Sequence, residues 1–378
     1  MKLVIATPLY PPEIGGPATY AKLLEEGLPA HGIEVELVKF SEVRHLPKII
    51  RHYAYYRRIR TALRGADAVL ALDPVSVGLP ASFAAQKEGK PFVVKIVGDY
   101  AWEQGQQRFG VAQTLDEFVR TKQVPFWVSV FRRIQIRVAQ SATRIIVPSE
   151  YLKSIVLAWR AGILSEKIKV IYNAISPASG HPTGCKEEVG VAPEEVTRLP
   201  RPLVVTAGRL VPWKHVDGVI DAVAQLHRKG IMASLAIVGD GPNRDRLATY
   251  AEKKLGGYCV FTGTLSHADT LATIASANVF ALNSSYEGLS HLLIESLMLG
   301  VPAVATEVGG NPEVVTHKKN GLLVPMKDTG SLAEALSSIL TDKRLHTRLA
   351  THAKESSKLF AVETMLARTS DAMYAVRF

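Results

Sequence analysis

Residues 279–306 read VFALNSSYEGLSHLLIESLMLGVPAVAT. Val279–Asn283 is a short apolar run. The segment from Ser290 onward is helical in pattern, with Ser290 placed to cap the amides of its first turn. Gly300 and Pro302 end the helix, and Ala303–Thr306 opens a second apolar run. Short apolar runs joined by a helix read as parallel strands buried on both faces.

The same unit recurs outward in both directions. Before it lie Leu203–Gly208, Leu235–Gly239 and Cys259–Gly263, and after it Leu322–Val324. The run starts are 32, 24, 20, 24 and 19 residues apart, the length a βα unit needs. The first half carries its own set: Leu3–Thr7, Val35–Phe40, Ala68–Leu72, Phe92–Val97, Arg144–Pro148 and Lys169–Tyr172. The expected fold class is therefore α/β, with two doubly wound, Rossmann-like domains in tandem. The first covers residues 1–175 and the second 201–359. Between them, residues 176–200 are rich in Pro, Gly and charge and read as a linker with room for one short helix. The end of the chain is helical in pattern with no further strand.

Size and composition fit this reading. The chain has 378 residues, 47% of them apolar and 21% charged. Two cysteines, Cys185 and Cys259, imply no disulfide framework, and a reducing cytoplasm is the expected setting. The N-terminus MKLVIATPLYPPE does not read as a signal peptide, and no apolar stretch is long enough for a transmembrane helix. The net charge of +10 is uneven: residues 1–180 hold 24 Lys/Arg against 15 Asp/Glu, and the remainder is nearly balanced. A basic first half points to an acidic partner, or to a solvated basic face.

Ligands of open α/β sheets bind outside the carboxyl ends of the strands, so the loops there hold the candidate residues. After the first strand, Gly15 and Gly16 precede a helix start; they permit close backbone approach to an anion, or form a simple tight turn. After the seventh, Arg209 and Lys214 are two cations suited to clamping a diphosphate. After the eighth, Gly239 begins a Gly-Asp-Gly-Pro turn. After the tenth, Glu287 stands in the loop, and Glu295 sits among Leu292, Ile294, Leu297 and Met298. No Lys or Arg lies within four residues of Glu295, so its partner is tertiary or a ligand, such as the paired hydroxyls of a ribose.

The segments GRLVPWK (208–214), VGDGP (238–242) and YEGLSHLLIESLMLGVPAVATEVGGNPEVV (286–315) together resemble retaining glycosyltransferases of family 4, which have the GT-B fold. The likeness runs in order through most of residues 200–325, and more loosely through TPLYPPEIGGPATYAKLLEEGLPAHGIEVELV (7–38). The resemblance implies an N-terminal acceptor domain facing a C-terminal donor domain across a cleft, with a last helix over about residues 360–378 crossing back to the first domain. It places Arg209 and Lys214 on the donor diphosphate, Glu295 on the ribose, and Glu287 by the donor sugar. The backbone of Gly288, Leu289, Ser290 and His291 would cup sugar and phosphates, Gly15 and Gly16 would approach the phosphates, and Asn173 and the loop after Gly263 would line the nucleotide pocket; Gly239 either shapes its own turn or adds to the donor-binding cleft. Family members carry a histidine where this chain has Val97; Asp99, two residues on, is either its replacement in binding or a turn residue capping the next segment.

The implied activity is retaining transfer of a sugar from a nucleotide sugar, UDP first and GDP second, by front-face displacement. No metal or cofactor is expected, since no D-x-D motif ends a strand and the two cations can take the leaving-group charge. Residues 44–64 hold seven Lys/Arg and no acid, interleaved with Tyr and Ile, and FWVSVFRRIQIRV (126–138) repeats the theme. Such helices suit an anionic membrane surface. No nucleic-acid motif accompanies them. The expected acceptor is thus a lipid-linked or membrane-near glycan of cell-envelope polysaccharide synthesis, with the enzyme cytoplasmic and peripheral to the inner membrane face. Transfer to a soluble small molecule, a non-catalytic nucleotide-binding scaffold and a sugar-nucleotide epimerase stay open as alternatives.

Overall fold

The computed structural model of the protein describes residues 1–13, 15–174 and 190–376. The chain forms two compact units, Met1–Ala174 with Val362–Phe378, and Ile175–Ala361. Most of the expected linker lies outside the described residues.

In unit 1, parallel strands β1 (Lys2–Thr7), β2 (Glu34–Lys39), β3 (Ala68–Ala71), β4 (Phe92–Lys95), β5 (Arg144–Val147) and β6 (Ile168–Val170) form one sheet in the order β2-β1-β3-β4-β5-β6. Its helices are α1 (Gly16–Gly27), α2 (Lys48–Leu63), α3 (Gly78–Glu88), α4 (Tyr100–Arg108), α5 (Leu115–Arg120), α6 (Phe126–Ser141) and α7 (Glu150–Ala158). Strands β3 and β4 are buried at every residue, which is why they read as unbroken apolar runs. Leu3, Ile5, Leu70, Val93 and Ile146 point to one face and pack on Tyr20, Leu23 and Leu24 of α1. The opposite face is covered by α2, α3 and α6. The strand order reverses between β1 and β3, so the loops after these two strands flank the carboxyl-edge crevice.

Unit 2 repeats the plan with β7 (Leu203–Ala207), β8 (Ser234–Val238), β9 (Cys259–Gly263), β10 (Val279–Leu282), β11 (Ala303–Thr306) and β12 (Gly321–Val324), in the order β12-β11-β10-β7-β8-β9. Its helices are α8 (Glu194–Thr197), α9 (Val216–Arg228), α10 (Arg244–Leu255), α11 (His267–Ala275), α12 (His291–Met298), α13 (Asn311–Val314), α14 (Thr329–Thr341) and α15 (Lys343–Ser357). All neighbouring strands pair in parallel. This is the dinucleotide-fold order, and it reverses between β7 and β10. The loops carrying Arg209, Lys214 and Glu287 are therefore the two that meet at the reversal. A last helix, α16 (Val362–Tyr374), belongs to unit 1, where Met365, Leu366 and Met373 join the core beside α1.

Each of the twelve apolar runs is a strand. Strand β4 stops at Lys95, short of the expected Val97, because Val97 has left the sheet and is exposed. Among the described residues no helix is long and apolar enough to cross a membrane.

Candidate active site

The β7 loop leaves the sheet through Gly208, whose φ of 136° lies outside the range L residues favour. Arg209 follows and is exposed, with no side-chain partner among the described residues. The β8 loop interlocks with it: the Leu210 amide donates to the Asp240 carbonyl at 2.9 Å. A Cβ on Gly239 would stand 2.1 Å from the Gly208 carbonyl oxygen. Gly239 is thus glycine because another loop's backbone fills the space beside it, which is the structural reading of its turn.

Residues Pro212–Lys214 form one 3-10 turn, which aims the Lys214 side chain back over the end of the sheet. Its Nζ lies 2.5 Å from Glu287 Oε1. The Ser284 hydroxyl, at the end of β10, donates to the same oxygen at 2.6 Å. Glu287 is 8% exposed. A carboxylate this buried needs such partners. Both engage Oε1, and Oε2 has no protein partner among the described residues. The Glu287 loop is seated on the one after β11: the Gly310 amide donates to the Glu287 carbonyl at 2.9 Å, and a Cβ on Gly309 would lie 2.1 Å from that carbonyl oxygen. The glycine pair of GGN thus serves the shape of the Glu287 loop.

Ser290 is the N-cap of α12, as its sequence position predicts; its Oγ accepts from the Leu293 amide at 3.3 Å. Gly288 and Leu289 complete the turn before it, and His291 is the first helical residue. Glu295 lies on the buried face of α12 at 5% exposure. Its tertiary partner is His267, whose Nε2 is 2.8 Å from Glu295 Oε1. His267 is the first residue of α11, after the N-cap Ser266, and is half exposed. The partner is thus tertiary, one of the two alternatives the sequence leaves open, and it is a histidine 28 residues away that no local pattern marks. The S-x-x-D pattern of Ser266–Asp269 does mark a helix start after β9, but which strand end it faces is set by the sheet order.

The remaining candidates lie in unit 1. Gly15 and Gly16 stand at the start of α1, with Pro17 in its first turn. Asn173 follows β6 and is 7% exposed. Asp99 takes the capping alternative. Its Oδ1 accepts from the Trp102 amide at 3.0 Å, which caps α4, and its Oδ2 accepts from Trp159 Nε1 at 2.9 Å. It is 1% exposed, and burial raises its pKa above the ordinary carboxylate value despite these hydrogen bonds. With both oxygens engaged and neither reachable, the binding or catalytic role expected for Asp99 does not fit. The sequence signal of the cap is the residue type itself, an Asp immediately before a helical run.

Arg209, Lys214, Glu287 and Glu295 thus gather on the loops and the helix that follow β7 and β10, at the carboxyl edge where the strand order reverses and where open α/β sheets bind ligands. The comparisons agree. The family description "Glycosyl transferases group 1" matches residues 192–356, and "Glycosyltransferase Family 4" matches residues 14–179. The chain belongs to the family 4 glycosyltransferases of GT-B fold.

Among curated relatives, a GDP-mannose-dependent alpha-(1-6)-phosphatidylinositol monomannoside mannosyltransferase of Mycobacterium tuberculosis is 34% identical over 151 residues, 38% of this chain and 39% of that protein. The chain thus aligns with about two fifths of that relative's length. An alpha-maltose-1-phosphate synthase of Mycolicibacterium smegmatis is 25% identical over 370 residues, 90% of each chain. Among solved structures, Anabaena HepE in complex with UDP superposes with a TM-score of 0.74 at 19% identity, covering 99% of this chain and 100% of that one, which shows the shared fold.

Proposed function

We propose that the protein is a retaining glycosyltransferase. It moves a sugar from a nucleotide sugar, UDP-linked first and GDP-linked second, to a lipid-linked or membrane-near glycan of cell-envelope polysaccharide synthesis. The observation that carries this reading is the arrangement at the β7–β10 reversal: unpaired Arg209, and Lys214 held on Glu287. On this reading Arg209 and Lys214 bind the donor diphosphate and stabilise the negative charge that grows as it leaves. They take the part that a metal plays elsewhere. The open Oε2 of Glu287 accepts from a donor-sugar hydroxyl, and that of Glu295 from the ribose. The acceptor hydroxyl attacks the anomeric carbon on the face the diphosphate leaves, passing its proton to the departing phosphate, so the configuration is retained.

Two features support the acceptor class. Tyr53, Phe126 and Trp127 are exposed at 62%, 72% and 55%, and the exposed Arg57 and Arg64 have no carboxylate partner among the described residues. A basic surface with exposed aromatics favours an anionic membrane. The mannosyltransferase matched above is named for a phosphatidylinositol acceptor. On this reading the enzyme works at the inner face of the cell membrane. The alignment over 90% of this chain, to a protein named for the synthesis of alpha-maltose-1-phosphate, favours a second reading with a soluble acceptor.

Nucleoside diphosphate release, measured with a panel of nucleotide sugars with and without acceptors, tests the activity. Acceptor-dependent release is expected; no release with any sugar nucleotide means a binding scaffold. Salt-sensitive sedimentation with phosphatidylglycerol vesicles separates the two acceptor readings.

A further inference from the structure

Lys214 and Glu287 stand on two loops that are joined by more than their own contact. Lys214 closes the 3-10 turn Pro212–Lys214, and the residue after it, His215, has φ 43° and ψ 46°. That is the left-handed region, which costs a histidine energy and a glycine almost none. A residue other than glycine stays there only when its surroundings hold it. Were the turn to relax at residue 215, the Lys214 side chain would leave its line to Glu287.

The holding groups lie in the three residues that follow β10. Asn283 Nδ2 donates to the His215 carbonyl at 3.0 Å. The Ser285 amide donates to the Trp213 carbonyl at 2.7 Å. The carbonyls on either side of Lys214 are thus both tied to one segment, 283–285. Between these ties, the Ser284 hydroxyl donates to Glu287 Oε1. One short stretch therefore sets the backbone on both sides of the cation and one oxygen of its carboxylate partner.

Asn283 is the tie that depends on a side chain. A carbonyl only accepts, so the group facing His215 has to be a donor, which an aspartate or a leucine of similar size does not supply. The Asn283 side chain is buried, and it fits because residue 218 is a glycine: a Cβ there would stand 2.4 Å from Asn283 Nδ2. Gly218 lies in the first turn of α9, and a glycine in a helix is less stable than an alanine. The absence of a side chain at 218 is what admits the Asn283 amide. The Gly218 amide donates to the same His215 carbonyl at 3.0 Å, so strand end, turn and helix start meet at one oxygen.

We infer that Asn283 is the positioning residue of Lys214: its amide holds His215 in the left-handed turn and so keeps Lys214 Nζ on Glu287, in line for the donor diphosphate. The inference rests on the diphosphate role proposed for Lys214 and goes beyond it, by adding a residue that acts on the cation through the backbone.

The test uses the full chain, with turnover measured as nucleoside diphosphate release well below the melting temperature. Asn283→Ala removes the donor. Gly218→Ala leaves Asn283 in place, favours the helix and pushes the amide off the carbonyl. Both should lower kcat about 10- to 100-fold, the loss that a misplacement of roughly 1 Å brings. Gly218→Ala should do so without a lower melting temperature, which keeps the test decisive if Asn283→Ala melts early. Adding His215→Gly, which takes the left-handed turn without a clamp, should recover most of the loss in each background. An undiminished kcat in either variant, or a loss that His215→Gly leaves in place, overturns the inference. If the wild type releases nothing from any sugar nucleotide, the diphosphate reading fails, and crystal structures of the two variants decide the clamp. Residue 215 outside the left-handed region with the Lys214–Glu287 contact broken upholds it, and an unchanged turn overturns it.

Discussion

Lys214 Nζ and Glu287 Oε1 stand 2.5 Å apart across 73 residues of sequence, joining the ends of the two strands between which the sheet reverses. The pair gives a buried carboxylate a hydrogen-bonded partner and, on the proposed reading, holds a cation near the place where a leaving diphosphate gathers charge. Its members should fail differently. Glu287→Gln keeps the shape and is expected to lower kcat by about 100-fold or more, the usual loss when a transition-state contact goes. The Kd for nucleoside diphosphate should move only a few-fold, as measured by calorimetry. Wild-type turnover in Glu287→Gln would sink the assignment.

Arg209 and Lys214 are both cations, yet among the described residues only Lys214 has a side-chain partner. Arg209→Ala should therefore cut turnover strongly with an unchanged melting curve, because the exposed guanidinium contributes little to the fold. Lys214→Ala should cut turnover and also destabilise by about 1–3 kcal/mol, since Glu287 loses a hydrogen-bond donor in a buried place. Equal melting temperatures in the two variants would mean that the Lys214–Glu287 contact contributes nothing to stability.

Glu295 and His267 make the ribose prediction. Glu295 is held through Oε1 by His267, which leaves Oε2 to accept from a vicinal hydroxyl pair. Glu295→Ala should weaken nucleoside diphosphate binding at least tenfold, and wild type should lose a similar factor when the probe lacks its 2′ and 3′ hydroxyls. The two losses should not add, because they delete the same contact. His267→Ala should produce a smaller loss by freeing the carboxylate to turn. Additive losses would place the ribose elsewhere.

If Arg209 and Lys214 serve as the electrophiles, transfer should survive chelation. Activity after exhaustive treatment with EDTA is expected to match the untreated enzyme. A tenfold loss restored by Mg²⁺ or Mn²⁺ would assign the leaving-group charge to a metal.

Much of this was legible in the sequence. Parallel strands buried on both faces lose the polar–apolar alternation and appear as plain apolar runs, so all twelve could be found. Ser290 was legible because capping is local. Asp99 and Gly239 share one ambiguity. Asp99 reads the same whether it binds a ligand or caps α4, and only its burial against Trp159 decides. Gly239 reads the same whether it makes room for a nucleotide or for the Gly208 carbonyl. The partner of Glu295 was hidden because pairing between the ends of β9 and α12 depends on the strand order, which local patterns do not encode. The burial of Lys95 is not legible in the run Phe92–Val97, because a lysine there can as well reach solvent past its neighbours, and only the packing around it decides.

Lys95 supplies the stability prediction. It ends β4, is 1% exposed, and has no hydrogen-bond partner for Nζ among the described residues; the nitrogen sits 3.5 Å from the centre of the Tyr20 ring. Burial lowers its pKa well below the usual 10.5. The folded protein therefore holds this amine uncharged over a pH range in which the unfolded chain still binds the proton. Stability then rises with pH through that range and levels off near the ordinary lysine value, because the unfolded state carries the extra proton. Lys95→Met keeps the length of the side chain and removes the amine. It is expected to stabilise the protein by about 1–3 kcal/mol at neutral pH and to flatten the rise. Denaturant melts of both proteins between neutral pH and about 10 decide it: parallel curves, or a destabilised variant, would mean that the Lys95 amine is charged and well solvated in the folded state.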